Sequence, residues 1–151
     1  MTIGTLRPRL GLPFATLAAL SLLAAPRVVL HDLGMATSGP LAALLALGPA
    51  AVWIAVTLAA EPRRPWQPLL VIGLCYGVLL AVGHNVLWHE VYEDGSPELG
   101  GNLDGAVPVD AQEPLLRAAV SLSSVFAGAL TGLACGAVAA LIRLVTARPR
   151  K

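Results

Sequence analysis

Residues 67–92 read QPLLVIGLCYGVLLAVGHNVLWHEVY, an apolar run with one charged side chain, Glu90, close to its far end. A helix rises about 1.5 Å per residue, so this stretch can cross a bilayer core of roughly 30 Å. Its contents give no period-2 alternation. Gly73, Gly77 and Ala81 instead recur every four residues, which places small side chains in one stripe along a helix. The segment therefore predicts a membrane helix with a packing face.

Three further blocks repeat the pattern, and the reading is an all-α, polytopic membrane protein. Helices are expected near residues 12–30, 40–60, 67–92 and 115–144, forming one four-helix transmembrane domain with a loop at 93–113. A chain of 151 residues with 56% hydrophobic content and 13% charge is too apolar for a soluble domain. The charges are sorted. Eight of the ten basic residues precede the first block, join the second to the third, or lie at or beyond the end of the fourth. Eight of the nine acids occupy the other two connections or, in the case of Glu90, border one of them. By the positive-inside rule both termini belong in the cytoplasm and the acidic 93–113 loop outside. The expected location is the inner (plasma) membrane, with the lipid bilayer as the first partner and a second copy or another membrane protein as the next. Basic residues scattered in pairs form no stripe, which argues against nucleic acid. Nine arginines to one lysine, with abundant alanine, suggest a GC-rich bacterial genome.

Arg7 and Arg9 before the run Leu10–Ala25 share features with a secretory signal. Yet Leu23-Ala24-Ala25 is a poor cleavage site ahead of Pro26, and Val28, Val29 and Leu30 extend the run to spanning length. An uncleaved first helix is expected, bent at Pro26, with Arg27 reaching to the interface. Pro49 cannot donate to the Leu45 carbonyl, so the second helix should kink, with Trp53 filling the space. Trp66 reads as an inner anchor and Trp88 and Tyr92 as outer ones. The fourth helix should open at Pro114. It carries Ser124, Gly128, Gly132 and Gly136 four apart, overlapping G-x-x-x-G motifs that let another backbone approach closely. Those stripes could close one bundle or join two copies.

Chemistry is sparse. No nucleophile has a base beside it, so a non-enzymatic protein acting by association and loop recognition is the leading expectation. Cys75 and Cys135 fall inside apolar blocks and read as small core filler. Tyr76, the only phenol at depth, should bond a neighbouring helix. The candidate outer polar site gathers Arg27, His31, Asp32, His84, Asn85, His89, Glu93 and Arg117. It would form a mouth between the first, third and fourth helices, with Arg27 and Arg117 as its cations pairing with Asp32 and Glu113. No cofactor is required. The alternative reading is metal-ion or small-solute handling, because imidazole with carboxylate suits a first-row divalent ion and makes His31, His84 and His89 candidate ligands. Against it, His84 and His89 are five apart, about 140° round a helix. The acid spacing of the loop does not match a calcium-binding loop.

Overall fold

Proline and glycine set the punctuation of the helices. A computed structural model describes residues 10–35, 38–92, 95 and 97–146. Arg7, Arg9, Glu93 and the tail Arg148, Arg150 and Lys151 lie outside the described residues. Helix makes up 81% of the structure and no strand occurs among the described residues, so the fold class is all-α. The elements are α1 (Phe14–Ser21), α2 (Ala25–Asp32), α3 (Gly39–Ala59), α4 (Trp66–Val86), α5 (Trp88–Val91) and α6 (Val109–Thr146). Four helical stretches are long and apolar enough to cross a membrane: Phe14–Asp32, Gly39–Ala59, Trp66–Val86 and Val109–Thr146.

Within the first stretch, α1 and α2 are joined by a 3₁₀ turn at Leu22–Ala24. Pro26 has no amide to give the Leu22 carbonyl. The tighter turn lets the Ala25 amide serve it instead. Helix α3 runs unbroken through Pro49. Its Trp53 is buried, and the indole Nε1–H donates to the Leu20 carbonyl at 2.7 Å, just before the 3₁₀ turn. The Trp53 ring also meets Tyr76 of α4, with centroids 5.7 Å apart.

Two boundaries differ from the sequence reading. The third helix stops at Val86, and a one-turn α5 follows after Leu87, whose ψ of 5° breaks the helical path. The fourth begins at Val109, five residues ahead of Pro114, so this proline sits inside α6. Proline's fixed φ suits a helix, and near an N-terminus its missing amide forfeits only one early bond. The 93–113 segment is accordingly not irregular throughout, since it also holds a 3₁₀ turn at Gly101–Leu103.

Helices α4 and α6 form the largest contact in the molecule, and glycine is the reason. A Cβ placed on Gly73 would stand 2.7 Å from the Gly132 Cα, and one on Gly77 2.7 Å from the Val125 Cα. On the other side, a Cβ on Gly136 would lie 2.8 Å from the Trp66 Cα. Only hydrogen fits at such distances, so the two backbones touch along the stripe. Ser124 is buried in the same seam. Ala81, one step further along α4, is only half-buried and borders an open groove with Val82 and Val125. Leu17, Ala24, Trp53, Leu69, Ile72, Cys135 and Ala139 make the core beside the seam. Little of the apolar surface is covered otherwise: only 11% of the most apolar stretch of α3 is buried, leaving Leu44 and Leu47 open.

At the end of the molecule holding the α3–α4 turn, Glu61 adopts a left-handed conformation with φ of 48°. Arg143 near the end of α6 donates to the Pro62 carbonyl at 2.6 Å and ties this turn down. Leu10 is buried beside it, and Gly11, at φ of 73°, sits close against Pro62.

Candidate functional site

His84 and Asn85 are neighbours on α4, and the helix points consecutive side chains about 100° apart. That turn divides the candidate polar residues into two clusters on different sides of α4. Among the described residues, the candidates expected to share one mouth therefore fall into two groups.

The first cluster joins α2 to α4. His84 Nδ1 and Asp32 Oδ2 lie 2.6 Å apart, and His31 Nδ1 stands 3.5 Å from Asp32 Oδ1. The Asp32 side chain is only 6% exposed, so the two imidazoles, not water, surround its carboxylate. Gly83 faces Val28 beside this contact: a Cβ there would meet Val28 Cγ1 at 2.6 Å. The pair borders a cavity of about 280 Å³ lined also by Arg27, Val28, Tyr76, Leu80, Ala127 and Thr131. A second cavity, about 110 Å³, lies deeper against Pro49 and Trp53 of α3, and shares Arg27, Tyr76 and Thr131 with the first. Arg27 forms no ion pair with Asp32, contrary to expectation. Its guanidinium makes no hydrogen bond or ion pair with any described residue.

The second cluster joins α4, α5 and α6. Arg117 Nε donates to Glu113 Oε1 at 2.8 Å, one turn back along α6. Arg117 Nη1 donates to the Asn85 carbonyl at 3.0 Å, a group freed by the break at Leu87. This is the capping role that a basic side chain performs at a helix C-terminus. Nη2 lies 3.2 Å from His89 Nε2, and the guanidinium sits 4.8 Å from the Trp88 ring centroid. Asn85 Nδ2 donates to Ser121 Oγ at 2.8 Å and back to the Ala81 carbonyl. Ser121 in turn donates to the Arg117 carbonyl. Trp88 is 2% exposed, with the Tyr92 ring tilted against it at 4.8 Å between centroids, so it is a buried platform for Arg117. Arg117 therefore contributes to this cluster and not to the cavity that holds Arg27.

For a metal, the geometry is unfavourable. Among the described residues no group of three His, Cys, Asp or Glu side chains is placed to hold a metal ion. His89 is tied to Arg117, away from His31 and His84. Glu93, the remaining candidate, is outside the described residues.

Tyr76 and Thr131 were missed as site residues. Tyr76 donates to no neighbouring helix among the described residues; its ring packs on Trp53 and the residue lines both cavities. The available signal was position: Tyr76 adjoins Gly77, and Thr131 adjoins Gly132, so both border the stripe where α4 and α6 meet. No family model, no curated protein and no solved structure matches this chain.

Proposed function

We propose that this chain is a non-enzymatic, multi-pass protein of the inner membrane whose four spans support a recognition surface at the outer end. Both termini lie in the cytoplasm, and the acidic connection between α5 and α6 lies outside. The sorting of basic and acidic residues between alternate connections supports that orientation. Exposed leucines on α3 suit lipid contact and would be a liability in water.

One observation carries the functional part. Every side-chain-to-side-chain hydrogen bond between described residues lies at a single end, among His31, Asp32, His84, Asn85, His89, Glu113, Arg117 and Ser121. This is the end from which the acidic connection emerges. Polar networks fix side chains in place, and the glycine seam fixes the helices beneath them. The glycine stripes are engaged within the chain, so association with a partner falls to the loop and not to the seam.

A photoreactive residue placed at Leu103, exposed in that connection, tests the proposal in cells that carry the protein. The account expects a discrete protein adduct from position 103 and only lipid-sized adducts from Leu44. Absence of a protein adduct at 103 and at other exposed loop positions would contradict recognition through the loop.

A further inference from the structure

Arg27 stands at the junction of the two cavities and forms no ion pair with any described carboxylate. The acid nearest to it in sequence on α2 is Asp32, whose Oδ2 is held by His84 while Oδ1 faces His31. A guanidinium carries five donors in a planar fork, and a site of low polarity raises the cost of leaving that charge uncompensated. The groups around it also favour an acceptor. Tyr76 brings a phenolic hydroxyl with no partner among the described residues. Thr131 donates to the Ala127 carbonyl at 2.9 Å and lines both cavities. With Nδ1 of His84 engaged by Asp32, only Nε2 of that ring remains for an occupant.

We propose that this cleft binds a small oxyanion, a carboxylate or phosphate group, held by the Arg27 fork with the Tyr76 hydroxyl as a second donor. Planar two-point recognition of such groups is what arginine does better than lysine. A volume of about 280 Å³ admits a carboxylate or phosphate group. Val28, Leu80 and Ala127 form its apolar wall. A cation is disfavoured, because Arg27 repels it and both oxygens of Asp32 face imidazoles. The same oxyanion chemistry is offered by a free solute entering from outside and by a lipid headgroup entering between helices. The inference draws on the membrane reading only for the low polarity around Arg27, and binding in detergent can fail or succeed whichever way the chain is oriented.

The full chain in neutral detergent is titrated with acetate and with inorganic phosphate at constant ionic strength, following the thermal midpoint. A parallel arm compares phosphatidylcholine nanodiscs with and without phosphatidic acid. The proposal expects saturable stabilisation in at least one arm, since a ligand bound to the folded state alone raises stability by mass action. Saturation with the free ions identifies a solute site, and stabilisation by phosphatidic acid alone identifies a headgroup site. Arg27→Gln should weaken the apparent affinity by about tenfold or more, Arg27→Lys by less, and Arg63→Gln in the exposed α3–α4 turn not at all. Should Arg27→Gln not fold, Tyr76→Phe and Thr131→Val each remove one hydroxyl from the cleft, and a loss of a few-fold is expected from Tyr76→Phe. No saturable response in either arm would overturn the proposal. So would unchanged affinity in Arg27→Gln, or in both hydroxyl variants.

Discussion

The indole Nε1–H of Trp53 donates to the Leu20 carbonyl at 2.7 Å, bridging the middle of α3 and the last turn of α1. The bond forms where Pro26 has forced the first span into a 3₁₀ turn, so a disturbed backbone acquires a side-chain partner. Trp53→Phe keeps an aromatic ring but leaves that carbonyl without its donor. A loss of about 1–2 kcal/mol in unfolding free energy is expected in detergent. An unchanged unfolding curve would mean that the bond contributes nothing net.

The seam between α4 and α6 predicts a contrast among glycines. Gly73→Ala and Gly128→Ala place a methyl group against backbone atoms and should each cost about 1–3 kcal/mol or more. In α3, Gly48→Ala meets only Leu44 Cδ1 at 3.8 Å. It should be neutral or stabilise by up to about 1 kcal/mol, because alanine restricts the unfolded chain. Equal effects at the three positions, read from denaturant curves, would deny the seam its special status.

Coupling between α2 and α4 is measurable by a double-mutant cycle on Asp32→Ala and His84→Ala. The 2.6 Å contact, with the carboxylate almost fully covered, should give a coupling of about 1–3 kcal/mol. His31→Ala paired with Asp32→Ala should couple less, since that contact is 3.5 Å long and the His31 side chain is 58% exposed. Two equal couplings would contradict the geometry.

The helical class and the approximate extent of the spans were legible in the sequence because each apolar block is long and its flanks carry charge or proline. The ends were harder. Leu87 carries no break signal, and the chain around it, Val86-Leu87-Trp88, remains apolar, so the third helix reads on to Tyr92. Val109 opens α6 in a segment whose Pro108 and Pro114 suggest turns, although proline is well tolerated in the first turns of a helix. The polar residues could be named from their position near one end, but their partners depended on rotation about α4. A step of about 100° from His84 to Asn85 sends them to separate clusters, and sequence distance alone could not assign Arg27 to one and Arg117 to the other. The cavities that Arg27 lines follow from the 3₁₀ turn ahead of Pro26 together with the positions of Tyr76 and Thr131, which are set by the seam. None of these is a local property.

Orientation in the membrane is the premise on which the recognition surface rests, and impermeant maleimide labelling of single cysteines in intact cells tests it most directly. Cys75 and Cys135 are replaced by alanine, and a cysteine is placed either at Asp104 in the acidic connection or at Arg63 in the α3–α4 turn, both exposed positions. The account predicts labelling of Asp104→Cys from outside and of Arg63→Cys only after the membrane is opened. The reverse pattern would put the polar end in the cytoplasm and contradict the proposed function.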